Sequence, residues 1–155
     1  SIAFVKSGII QAGVIFDAVH DELYTARAEH GAYLNGTAIQ PTDKKDVGDG
    51  LVGVGVSLRG SQDKTLRFLT NLLKADGVFH RGGSAALSLA YVASGRLLGY
   101  YESHLFVWDV LAGILIVREA GGVTNHWQLS QETMEKGQML IASGPDLFAR
   151  INTFL

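Results

Sequence analysis

Apolar residues fall in short strand-like runs over the first third of the chain and at helical spacing after it. Residues 1–6 and 9–17 are apolar and β-rich around Lys6-Ser7-Gly8, which predicts a tight antiparallel hairpin. Leu23 to Ala28 alternates like a third strand, and Gly31-Ala32-Tyr33-Leu34-Asn35-Gly36 sets an Asn-Gly turn between short extended pieces. Pro41 to Gly50 is polar, charged and Gly-bearing, and reads as a surface connection between two subregions. Beyond it, Leu51 to Val56 reads as a buried strand, and Leu66, Leu69, Leu72 and Leu73 mark a helix over 62–74.

The β-then-α rhythm continues through Val78-Phe79-His80, a helix from about Ala85 to Ser94, a strand from Leu97 to Glu102 and a helix from Val110 to Ala120. Gly95 and Gly121 stand where helix C-terminal caps belong. Val123 to Trp127, Met139 to Ser143 and a last helix after Pro145 complete the pattern. Strands interleaved with helices imply a layered α/β architecture, and the antiparallel front hairpin makes the expected sheets mixed.

Composition narrows the classes. A chain of 155 residues with 47% apolar and 18% charged residues suits one globular domain with a sizeable core. Its net charge of −2 and the lack of any Lys/Arg run argue against direct nucleic-acid binding. The apolar runs are too short and too Gly-interrupted to span a bilayer. With no cysteine there is neither a disulfide framework nor a thiolate metal site, which fits a cytoplasmic location. Ser1-Ile2-Ala3-Phe4-Val5 begins directly as a strand, so the expectation is a piece of a larger folded unit.

Two carboxylates stand out, Glu102 at the expected end of a strand and Asp109 at the start of the apolar helix that follows. An acid at a helix start is favoured by the unpaired N–H groups there, and either caps the helix or turns outward to hold a cation. The strand-end position of Glu102 is where α/β sheets build pockets, although a solvated acid fits the same pattern. Arg81-Gly82-Gly83-Ser84-Ala85-Ala86 opens a helix with free N–H groups that can face an anion, while a Gly turn followed by a Ser N-cap explains it equally. The Lys and Ser/Thr spacing of a nucleotide-binding phosphate loop is absent. Trp108 reads as core or staple packing, and Asp17, Asp21, Glu22, Asp43, Asp46 and Asp49 read as acids that solvate turns and the connection. The five histidines show no metal-ligand spacing, and no Ser-His-Asp arrangement is discernible.

Taken together, Gly82 to Arg96, Glu102, and Trp108 to Gly122 with its Trp-Asp opening and Glu-Ala-Gly-Gly ending resemble the inositol monophosphatase family. Gly13 to Val19, Asp21 to Ala26 and Gly31 to Gly36 resemble that family's middle strands and turn, so the likeness covers nearly the whole chain. The resemblance implies a layered αβαβα sandwich with mixed sheets, commonly dimeric. On it, residues 1–45 are middle strands of the N-terminal half of the fold, incomplete here, and 46–155 form the C-terminal α/β subdomain.

It also implies a Mg²⁺-dependent, Li⁺-sensitive phosphatase that hydrolyses inositol monophosphate or a similar small phosphorylated polyol. Asp109 then maps onto a metal ligand, Glu102 onto the acid that contacts substrate hydroxyls, and Gly83, Ser84 and Ala85 onto the backbone lining the pocket. Relatives hydrolyse fructose 1,6-bisphosphate, histidinol phosphate or nucleotide phosphates. The lack of an obvious basic pocket argues against a substrate with several phosphates. The family's first signature, Asp-Pro-x-Asp-Gly-Thr/Ser with a Glu before it, supplies further metal carboxylates and occurs nowhere in these residues. The expectation is therefore that the chain alone binds Mg²⁺ weakly and turns over little, and that the edge strand from Ser1 to Lys6 is exposed. The alternative is a noncatalytic interaction module, since some bacterial family members also bind the transcription machinery.

Overall fold

The computed structural model describes all residues 1–155. Its first sheet is a meander of β1 (Ile2–Lys6), β2 (Ile9–Asp17), β3 (Glu22–Arg27), β4 (Ala32–Leu34) and β5 (Thr37–Ala38), each strand antiparallel to the one before. The β1–β2 turn places Ser7 and Gly8 at φ 52° and 76°, and the β4–β5 turn places Asn35 and Gly36 at 48° and 81°. Tight hairpins need this left-handed geometry because its twist matches that of the strands.

The second sheet has the spatial order β7-β6-β8-β10-β9, built from β6 (Leu51–Val54), β7 (Val78–His80), β8 (Gly99–Leu105), β9 (Val123–Thr124) and β10 (Gln138–Ser143). β6 runs parallel to β7 and β8, whereas β10 is antiparallel to β8 and β9. Mixed pairing thus belongs to this sheet alone. The helices are α1 (Gln62–Lys74), α2 (Ala85–Ala93), α3 (Val107–Glu119), α4 (Gln131–Lys136) and α5 (Pro145–Asn152), and none is long and apolar enough to cross a membrane.

Two cores stack these elements into layers. Ile15, Tyr24, Ala26 and Ala32 of the first sheet pack with Leu89 and Val92 of α2 and the buried residues of α3. All eight residues from Val110 to Val117 are buried, so α3 is apolar on every side, as a helix enclosed between two sheets must be. Gly13 lets the first sheet rest directly on it, since a Cβ there would lie 2.8 Å from the Ala112 carbonyl oxygen. On the far side of the second sheet, Phe68 and Leu72 of α1 and Leu147 and Ile151 of α5 cover Val52, Val54, Tyr101 and Ile141. Phe68 stacks on Tyr101 with centroids 4.2 Å apart. Each such side chain stabilises the fold by roughly 1.5–3 kcal/mol. The chain therefore builds a sheet, a helical layer, a second sheet and a second helical layer, in that order. β1 is an edge strand, and the outer face of its sheet presents Ile2, Phe4 and Phe16 to solvent.

Several local expectations need correction. Asp17 is buried, not solvating a turn: it accepts from Val19 N at 3.1 Å and Tyr91 Oη at 3.2 Å, and its Oδ2 lies 2.7 Å from His20 Nδ1. Glu22 receives both Arg96 nitrogens at 2.7 Å and Tyr24 Oη at 2.8 Å, which ties the first sheet to the end of α2. Trp108 is 63% exposed and stacks on Phe106 rather than entering the core. The strand expected to end at Glu102 runs on to Leu105, and α4 occupies a stretch with no helix expected.

Candidate functional site

Alternation along β8 decides where its acid points. Tyr100 and Glu102 share the face toward α2 and α3, whereas Tyr101 and Ser103 face α1. Tyr100 is 2% exposed and donates its hydroxyl to Glu102 Oε2 at 2.5 Å. Gly55, just past β6, leaves room for that pair, because a Cβ there would overlap Glu102 Oε2 and stand 2.6 Å from the Tyr100 hydroxyl. Burial, and then the nearby Asp109 charge, push the Glu102 carboxyl above the usual range against the opposing pull of the Tyr100 hydrogen bond. The same burial and the Glu102 charge drive the Tyr100 phenol far upward, so it stays a donor.

Asp109 is not the N-cap of α3. The helix starts at Val107 with Phe106 as cap, and Asp109 in the first turn returns its Oδ2 to the Phe106 N–H at 3.0 Å. This is one half of a capping box, and Phe106 has no side-chain acceptor to supply the other half. Oδ1 takes no hydrogen bond from the chain and is available to a ligand. Ser84 does cap α2, accepting from Leu87 N at 3.2 Å, so its hydroxyl serves the helix. Gly83 before it sits at φ 77°, where a side chain would be strained.

These pieces meet. A cavity of about 500 Å³ is lined by Glu102, Asp109, Gly83 and Ala85 together with Val56, Leu58, Arg59, His104 and Phe106. Ser84 lies beside it in a smaller recess of about 80 Å³ that also touches Arg81, Tyr100 and Glu102. All five residues singled out from the sequence thus border one connected region. The sequence reading missed the opposite wall. Arg59 comes from the exposed β6–α1 loop, and its guanidinium carbon lies 5.6 Å from the Phe106 ring centroid. Phe106 is stacked on Trp108 (4.6 Å, 18°) and met edge-on by His104 (5.0 Å, 88°). His104 is fixed through Nε2 to the Lys136 carbonyl at 2.7 Å, so α4 braces the wall from behind. The one available signal was Phe106 and Trp108 bracketing the helix start next to Asp109.

Mg²⁺ takes oxygen ligands in octahedral geometry and needs carboxylates or substrate phosphates to hold it. Asp109 Oδ1 suits one such position. No three His, Cys, Asp or Glu side chains gather into a metal-binding group.

The fold and the pocket place the chain in a class of layered α/β proteins with acids and helix N-termini converging at a sheet edge. The model of the inositol monophosphatase family matches residues 1–154, and the chain belongs to that family. It is 37% identical over 142 residues to an inositol-1-monophosphatase from Mesorhizobium japonicum, covering 90% of this chain and 53% of that protein. It is 35% identical over 153 residues to the Nus factor SuhB of Pasteurella multocida, covering 97% of this chain and 57% of that one. The crystal structure of the extragenic suppressor protein suhB from Bartonella henselae superposes with a TM-score of 0.88 at 33% identity, over 98% of this chain and 58% of the other. Inositol monophosphatase from Anabaena gives 0.83 at 29%, over 98% and 62%. The chain spans about half the length of the curated relatives it matches.

Proposed function

We propose that this chain supplies the substrate-facing part of a Mg²⁺-dependent phosphomonoesterase site that releases inorganic phosphate from inositol monophosphate or a similar phosphorylated polyol. The observation that carries this is the convergence of Asp109, Glu102, Gly83 and Ala85 on one cavity, in a chain whose family is one of phosphatases and generally metal-dependent. Asp109 holds the metal through Oδ1, with its orientation fixed by the hydrogen bond from Phe106 N–H to Oδ2. Mg²⁺, when bound, neutralises phosphate charge and lowers the pKa of a bound water. Glu102, oriented by Tyr100, accepts hydrogen bonds from polyol hydroxyls. The N–H groups that open α2 face the substrate from beside Gly83, where the helix dipole favours negative charge. The same reading makes the protein a cytoplasmic homodimer that Li⁺ inhibits by competing for the metal position.

Phosphate release from inositol monophosphate across a Mg²⁺ titration tests this in the protein as its gene encodes it. In Asp109→Asn the amide oxygen can still accept from Phe106 N–H, so the helix start survives while the metal ligand weakens. Release that depends on Mg²⁺, is blocked by Li⁺ and is lost in D109N is the expected result. Release that continues unchanged in D109N or without Mg²⁺ overturns the assignment. The 155 residues by themselves release little, because one carboxylate oxygen is a poor anchor for this ion.

A second reading is a noncatalytic interaction module on the same fold. It is favoured by the several relatives named Nus factor SuhB. Absence of Mg²⁺-dependent release from every ester tried would turn the assignment to it.

A further inference from the structure

Arg59 is not used by the phosphatase reading above, yet it is held at the cavity wall that it shares with Asp109. It makes no ion pair with any carboxylate of the chain. Its backbone N–H donates to Ser57 Oγ at 3.2 Å, which closes the loop, and its guanidinium lies over the Phe106 face. That ring is itself clamped between Trp108 and His104. A guanidinium seated on an aromatic face keeps its N–H edges free, and the planar fork matches phosphate and carboxylate bidentately.

The rest of the cavity says where a second negative group can go. Glu102 and Asp109 are both acids on one side and repel it. Arg81 stands only at the recess of about 80 Å³ beside Ser84 and Glu102, whereas Arg59 and His104 line the cavity of about 500 Å³. We infer that Arg59 is a specificity-determining residue that receives a second anionic group at the end of the substrate away from the scissile phosphate. The favoured substrates are then doubly anionic phosphate esters, in which a polyol carries a further phosphate or carboxylate. This rests on the phosphatase reading above, and it reverses the sequence-based expectation that no cation awaits a second phosphate.

The test compares kcat/KM for an inositol bisphosphate and for inositol monophosphate at fixed Mg²⁺, in the protein as its gene encodes it and in Arg59→Met, Arg59→Lys and Phe106→Ala. Wild type is expected to favour the bisphosphate. In R59M the bisphosphate-to-monophosphate ratio falls about tenfold, the scale of one lost hydrogen-bonded contact to a charged group, and the loss appears in KM rather than kcat. R59K restores part of the ratio, and F106A, which removes the ring beneath the guanidinium, lowers it. A ratio that R59M leaves unchanged, or an equal loss for both esters, overturns the inference. If neither ester is hydrolysed, the phosphatase reading fails by itself. Calorimetric binding of the bisphosphate then decides the inference alone: about tenfold weaker binding by R59M supports it and equal binding overturns it.

Discussion

Gly55→Ala isolates the packing that aims Glu102. Gly55 has no positive φ, so its backbone accepts alanine, and the whole effect comes from what the new methyl meets. That methyl would overlap Glu102 Oε2 and Cδ and stand 2.6 Å from the Tyr100 hydroxyl, so the carboxylate must swing away and the Tyr100–Glu102 hydrogen bond must break. Tyr100 is buried, and its hydroxyl makes no other hydrogen bond. A hydrogen bond to a charged group contributes about 1.5–3 kcal/mol and an unpaired buried hydroxyl costs about 1–3 kcal/mol, two views of the same loss. The expected destabilisation is therefore about 2 kcal/mol, which at a urea slope of about 1–3 kcal/mol/M moves the midpoint down by roughly 1 M. In a Tyr100→Phe background the contact with the hydroxyl and the whole hydrogen bond are already gone and only the Glu102 carboxylate has to move, so G55A should cost under about 1 kcal/mol there, giving a clear coupling in the double-mutant cycle. The displaced acid should also raise KM for the polyol phosphate. A G55A protein within about 0.3 kcal/mol of wild type, or costs that simply add in the cycle, would refute the geometry.

Two further outcomes follow from contacts away from the cavity. Glu119 at the end of α3 accepts from the backbone N–H groups of Glu29, His30 and Gly31 at 2.9, 3.1 and 2.9 Å. With water able to replace part of this exposed set, Glu119→Ala should cost about 2–3 kcal/mol in urea unfolding, and Glu119→Gln less because one oxygen still accepts. Asp17 is held below the ordinary carboxylate range first by its His20 hydrogen bond, and Glu22 first by Arg96 and then by Tyr24. Depressed carboxyls contribute stability at neutral pH that persists down to about pH 4 and is lost as pH falls further through their folded values. The urea midpoint should drop over that acid range in wild type and drop less in the Asp17→Asn, Glu22→Gln double variant.

The strands and most helices were legible because each has one unambiguous period. β2 and β3 alternate, α1 repeats its leucines at helical spacing, and α3 is an unbroken apolar run too long for a strand. The start of α3 was misplaced because Asp109 resembles an N-cap, and only the structure shows that it reaches back from the first turn to Phe106. α4 escaped notice because it is six residues long with no buried position, and its Ser130–Thr133 capping pair lacks the usual Glu or Gln. Asp17 and Glu22 were taken for turn acids since the partners that tie them across the fold, Tyr91 and Arg96, lie more than seventy residues away. Arg59 was invisible for the same reason: a lone cation in a polar loop gains meaning only when Phe106 lies beneath it.

The enclosed helix α3 and the exposed loop from Val56 to Gly60 divide the labour of the site unequally. A helix whose middle, Val110 to Val117, is wholly buried, with Asp109 at one end and Glu119 at the other, can hardly change one of those eight residues without disturbing the layers around it. Leu58, by contrast, is 88% exposed, and the loop around it contributes a cavity wall while bearing little of the core. Residues of that loop can be exchanged at little cost to the core, so the cavity wall can vary while the carboxylate at the helix start stays where the interior puts it.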